Sequence, residues 1–228
     1  VPTSRGVLRH RPAMGEGKMC AIQEHRFPFL KKVGDWNRFN RNTGGTLVEK
    51  CCHFFDLMNL VVPGKPVRAL ASGAQSVNHL DEVYNGEVPD IIDNAYVIVE
   101  YDSGARAMLD LCMFAEGSKY EQMIAVTGDA GKLETTVPGD ALFMSKRERN
   151  SGKAVPIVMD PRVKHEGFHH GSSFLEHREF IDAIREGSAP SVTTRDGLMS
   201  VLVGVAAQQS IETGQAVNID SLLQQHSD

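Results

Sequence analysis

No G-x-G-x-x-G turn occurs anywhere in the 228 residues, so no dinucleotide-binding βαβ half is recognisable. A phosphate loop is missing as well. Gly15-Glu16-Gly17-Lys18 and Gly128-Asp129-Ala130-Gly131-Lys132 lack the GxxxxGK[ST] spacing and read as plain turns. No window holds 18 consecutive apolar residues, which excludes a spanning helix. The four cysteines (Cys20, Cys51, Cys52 and Cys112) form no CxxC pair, so zinc and dithiol chemistry lack their usual spacing. Four reduced cysteines in a cytosolic protein are expected. With 24 basic against 29 acidic residues the formal charge is −5, which argues against nucleic acid or an anionic membrane as partner. The opening Val1-Pro2-Thr3-Ser4-Arg5 has neither an initiator Met nor an apolar signal core. A processed N-terminus and a piece of a longer chain fit it equally.

What is present is ordinary globular material, 41% hydrophobic and 23% charged. Residues 1–16 read as irregular, and a strand-like run follows at Met19–Gln23. Gly44-Gly45 precede Thr46, an N-cap candidate with Glu49 as its capping-box partner. Leu47, Phe54, Leu57, Met58 and Val61 then follow helical spacing until Pro63-Gly64, which predicts one helix over Leu47–Val62. The period next changes to two. Strands are expected at Val67–Ala74, Asn94–Tyr101, Arg106–Phe114, Met123–Thr127, Lys132–Thr136 and Ala141–Lys146, with an edge strand near Val155–Val158. Short turns between them imply antiparallel pairing. A helix capped by Ser173 and Glu176 and stopped by Gly187 comes next, and an apolar helix then runs from Thr194 to Gly214. Helix, strands, then two helices predict an α+β fold: a large, mainly antiparallel sheet with helices packed on one face, in one domain spanning 1–228.

Chemistry concentrates at Glu49-Lys50-Cys51-Cys52-His53-Phe54-Phe55-Asp56. In a continuous helix Glu49 and His53 are i,i+4, and His53 and Asp56 are i,i+3, so one face carries all three with Lys50 on its flank. A carboxylate beside an imidazole supports a general base near neutral pH. The same residues also fit a salt-bridged surface face, and Glu49, His53 and Asp56 could in principle hold a metal, although HExxH is absent. Two loops add binding candidates. Trp36, Asn37 and Arg38 include the single Trp, which could stack on a sugar ring or anchor the edge of the core. His169 and His170 precede a helix N-terminus, where anions are favoured, or lie in a solvated loop.

The segment Gly44-Gly45-Thr46-Leu47-Val48-Glu49-Lys50-Cys51-Cys52-His53-Phe54-Phe55-Asp56-Leu57 resembles the glucose–fructose oxidoreductase/inositol dehydrogenase/MocA family. The Val126–Leu133 hairpin, the Phe180–Gly187 tail, Asp196-Gly197 and Ser210-Ile211 before Gly214 extend the resemblance over about Gly15 to Ile219. The family pattern implies an N-terminal Rossmann domain for NAD or NADP and a C-terminal α+β domain, of which this chain resembles the second. It also implies that Glu49 and His53 line a substrate site, with Glu49 where Asp is usual and Lys50 where many members are apolar. The family's Glu-Lys-Pro lysine has no counterpart here.

The resemblance thus implies the substrate-binding domain of an NAD(P)-dependent oxidoreductase acting on a sugar, polyol or related secondary alcohol. His53, Glu49 and Lys50 are its expected catalytic group. A non-catalytic sensor or assembly module is the rival. Strands 94–101 and 106–114 carry apolar residues on both alternating sets, and helices can cover only one side, so a homo-oligomer through the open sheet face is expected.

Overall fold

The computed structural model describes residues 2–225. The elements, in order, begin with α1 (Pro2–His10), a 3-10 turn (Arg11–Met14), β1 (Gly17–His25), a second 3-10 turn (Val33–Arg38), α2 (Asn40–Thr43), α3 (Thr46–Glu49) and α4 (Cys52–Val61). Seven strands follow: β2 (Pro66–Ala74), β3 (Asn94–Tyr101), β4 (Arg106–Cys112), β5 (Gln122–Gly128), β6 (Gly131–Val137), β7 (Ala141–Lys146) and β8 (Lys153–Pro156). A third 3-10 turn (Gly167–His169), α5 (Ser172–Glu186), α6 (Thr194–Thr213), β9 (Val217–Asn218) and α7 (Ile219–Gln225) complete the described residues.

The strands form a nine-stranded sheet in the order β8-β7-β6-β5-β1-β4-β3-β2-β9. Every pairing is antiparallel except β1 with β4. β1 enters between two strands far downstream of it, with Ile22 opposite Leu109 on one side and Ile124 on the other. Local turn signals carry no trace of such an insertion, because parallel partners need a long crossover. β8 takes the edge, where Pro156 loses no ladder bond.

Alternation divides the two faces. Ala95, Val97, Val99 and Tyr101 of β3 and Ala107, Leu109 and Leu111 of β4 are buried beneath the helices. Tyr96, Ile98, Met108, Met19, Met123 and Phe143 stand exposed on the other side. That open face holds a groove of about 470 Å³ bordered by Ala21, Met108, Met123 and Phe143. On the covered side α4 and α6 pack on each other and on the sheet. Ser210 of α6 accepts the N–H of Ala71, a buried ladder donor beyond the reach of short β9.

Three local expectations change. Residues 2–10 are helical where irregular chain was expected, and α1 buries Val7 against the core. The single helix expected from Leu47 to Val62 is broken at Lys50-Cys51. α5 starts from Gly171 in the left-handed region with no side-chain cap, so the Ser173–Glu176 box does not form. Among the described residues no helix is long and apolar enough to cross a membrane.

Candidate functional site

The site begins at a backbone device. Gly45 takes φ 88° and ψ 172°, a conformation open in practice only to glycine, and leads directly into α3. Thr46 does not cap this helix. Its hydroxyl donates to the carbonyl of Ile92 at 2.6 Å, pinning the start of α3 to the segment before β3. The carbonyl of Thr46 then accepts from both Lys50 N–H and Cys51 N–H, the second an i→i+5 bond. This π-type bulge separates α3 from α4 at Lys50-Cys51.

The bulge overturns the pairing that helical spacing predicts. Glu49 is bound to Lys32 at 2.5 Å, whose ammonium lies 4.9 Å from the centre of the exposed Trp36 ring. Lys50 turns inward, and its Nζ lies 3.0 Å from Oε1 of Glu24. Glu24 is fully buried and also meets Arg26 Nη1 at 3.4 Å. His53 is exposed, with Nδ1 3.6 Å from Cys52 Sγ.

The electrostatics of His53 suit a proton acceptor. Desolvation by the surrounding protein lowers its pKa below the usual imidazole value, and the charges of Lys50 and His169 push it further down. Glu176 on α5 opposes them. At neutral pH the ring is therefore uncharged and free to accept a proton. Asp56 moves the other way, raised by burial and then by Asp196, and no hydrogen bond joins it to His53 among the described contacts. Burial raises Cys51, and it pushes Cys20 up to about 12, so neither supplies a thiolate. Among the described residues no group of three or more His, Cys, Asp or Glu stands close enough to hold a metal ion.

The binding candidates separate. His169 is near enough to act on the charge of His53, whereas His170 borders a different cavity, of about 260 Å³, with Thr3, Val137 and Met159. Trp36 is linked to Glu49 through Lys32. Asn37 and Arg38 face inward. The Asn37 amide donates to Leu30 O, and Arg38 Nε donates to Glu82 at 2.8 Å. Burial works against the Glu82 charge, yet bonds from His79, Tyr84 and Arg38 hold its pKa down at about 2. These contacts secure the loop and do not reach Lys50 or His53.

Glu24 and Lys32 escape a reading by motif. One signal was available: Cys20, Ile22 and Glu24 share the alternation of β1 that faces the helices, and a charge in a core register conflicts with the pattern around it.

Residues 12–219 match the family model described as oxidoreductase family, C-terminal alpha/beta domain. The chain is 26% identical over 190 residues to myo-inositol 2-dehydrogenase of Thermotoga maritima, covering 80% of this chain and 52% of that protein. It is 24% identical over 186 residues to scyllo-inositol 2-dehydrogenase (NAD(+)) of Bacillus subtilis, covering 80% and 50%. An oxidoreductase domain protein from Kribbella flavida shares the fold at TM-score 0.78 and 17% identity, over 96% of this chain and 63% of that one. The chain thus spans about half the length of the curated relatives it matches.

Proposed function

Because the chain belongs to the Gfo/Idh/MocA oxidoreductases as their C-terminal alpha/beta domain, we propose that it forms the substrate side of an NAD(P)-dependent enzyme acting on a sugar, polyol or related secondary alcohol. One observation carries the reading: an exposed His53 at the bulge between α3 and α4, its charged form disfavoured by desolvation and then by Lys50 and His169. The inositol dehydrogenases it resembles are consistent with a polyol.

In this reading His53 takes the proton of the substrate hydroxyl during oxidation and returns it in the reverse direction. Lys50 directs an N–H at a substrate oxygen. Glu49 acts at a remove, holding Lys32 under Trp36 so that the aromatic ring borders the site. NAD or NADP does not fit this chain by itself, since no Gly-rich strand-to-helix turn exists in its sequence and the described sheet has no βαβ series. We assign the cofactor to a further domain, and the steps given to this chain are binding and proton transfer only. The exposed sheet face is assigned to contacts between copies of the chain.

Kinetics of the full-length protein on myo-inositol and scyllo-inositol test the site. His53→Ala should lower kcat by about 10²–10⁴-fold with little change in melting temperature. A near-normal kcat, or a variant that unfolds, removes His53 from the chemistry. Calorimetry should detect no saturable NAD(H) binding to the 228-residue chain alone.

A further inference from the structure

Beneath the proposed site lies a buried carboxylate that the proton chemistry does not use. Glu24 has no exposed surface, its Oε1 is shared between Lys50 at 3.0 Å and Arg26 at 3.4 Å, and its buried Oε2 has no hydrogen-bond partner. A fully buried carboxylate carries a desolvation cost that is tolerated only when its charge is matched. The matching here is local. Lys50 and Arg26 face Glu24, Arg26 also reaches Glu121 at 3.7 Å, and Lys32 is taken by Glu49. Lys50, Arg26 and Lys32 are thus each paired with a carboxylate.

The ammonium of Lys50 has only 15% of its side chain open to solvent. Its Nζ is anchored on Glu24 at 3.0 Å, and the side chain keeps a small exposed surface. An ammonium already neutralised by a buried partner donates a hydrogen bond to a hydroxyl or carbonyl oxygen but offers little net field to an anion. Glu24 itself cannot touch a substrate in this arrangement, because Lys50 lies between it and the solvent.

We propose that Glu24 is a specificity-determining positioning residue: acting through Lys50, it sets the site for an uncharged polyol and against a carboxylated sugar of similar size. The proposal rests on the reading of Lys50 and His53 as the substrate site. Discrimination of this kind is a difference between two affinities and needs an unfavourable element against the competitor. Glu24 supplies one by neutralising the Lys50 ammonium, so that a carboxylate placed on Lys50 gives up its hydration for little net positive field.

Equilibrium binding of myo-inositol and sodium glucuronate to the full-length protein tests this. Wild type should prefer myo-inositol. Glu24→Gln keeps the volume and removes the charge, and it should move the ratio of the two dissociation constants at least about tenfold toward glucuronate. Glu24→Asp, which keeps the charge, should retain the wild-type preference. In a Lys50→Gln background Glu24→Gln should no longer change the ratio, whereas an unchanged effect would mean that Glu24 does not act through Lys50. A merely structural role would lower the melting temperature and leave the ratio alone. Should Glu24→Gln fail to fold, Glu24→Leu takes its place, and failure of both makes the carboxylate structural and overturns the proposal. A wild type that prefers glucuronate overturns it too and leaves the substrate-site reading standing. If Lys50→Gln binds both probes as wild type does, or wild type binds neither, that reading itself falls.

Discussion

The two long C-terminal helices look alike in sequence and differ in what the fold does with them. α6 buries Leu202, Val203, Gly204, Ala206, Ala207 and Ser210 and crosses both α3 and α4. α5 is 15 residues long, yet among its described side chains only Leu175 is buried. Phe180, Ile181 and Ile184 are 59%, 43% and 66% exposed. Their ends differ in parallel. α6 opens with a reciprocal capping box between Thr193 and Asp196, while α5 opens on Gly171 without a cap. Apolar periodicity therefore reports that a face is meant to be covered, not that this chain covers it. The α6 surface is committed to the intramolecular core. That of α5 is left facing outward beside His53, to which Glu176 presents its charge.

The largest effect expected from breaking this contrast lies at Gly204. A Cβ there would sit 2.7 Å from the carbonyl oxygen of Leu47, so α3 rests directly on α6 backbone. Gly204→Ala should cost about 1–3 kcal/mol in denaturant unfolding, as overpacked cores do. A cost below about 0.3 kcal/mol would show that α3 shifts freely over α6.

A smaller effect belongs to the α6 cap. The Thr193 hydroxyl donates to Asp196 at 2.6 Å and its N–H at 2.7 Å, which holds the Asp196 carboxyl below the ordinary carboxylate range. A depressed carboxyl contributes stability that is present above its unfolded pKa, near 4, and is lost as pH falls through the folded value. Thr193→Ala should cost about 1 kcal/mol at neutral pH, and the difference from wild type should shrink in acid. A pH-independent difference between the two unfolding curves would exclude the Asp196 bond as its source.

The smallest effect is expected on α5. Ile184→Ser should leave the unfolding free energy of this chain within about 0.5 kcal/mol, the ordinary range for exposed positions. A loss of 2 kcal/mol or more would mean that α5 is covered after all.

Much of the architecture was readable in the residues. β3 and β7 run over the ranges that alternation marks, and α6 ends at Gly214 where the apolar stretch does. Glycines, turns and period-two alternation act over a few residues, so they survive translation into structure. The site was less legible. The segment itself was visible, since Lys50 acts on the charge of His53 and Glu49 is linked to Trp36 through Lys32, but their partners were not. Spacing assumed an unbroken helix, and the Cys51-to-Thr46 bond shifted the register, sending Glu49 to Lys32 and Lys50 to Glu24. Asn37 and Arg38 looked available beside Trp36, yet loop packing turned both inward.

By itself the sequence determined an α+β chain with an alternating sheet, a Gly-Gly entry to a polar helix start, and no dinucleotide motif of its own. All of these rest on contacts within a few positions along the chain. Only the tertiary structure decided that β1 inserts parallel to β4, that Glu24 lies buried under Lys50, and that α6 is covered while α5 is not. Each of those depends on segments tens of residues apart meeting in the core, where burying a charge or an apolar face depends on which partner arrives.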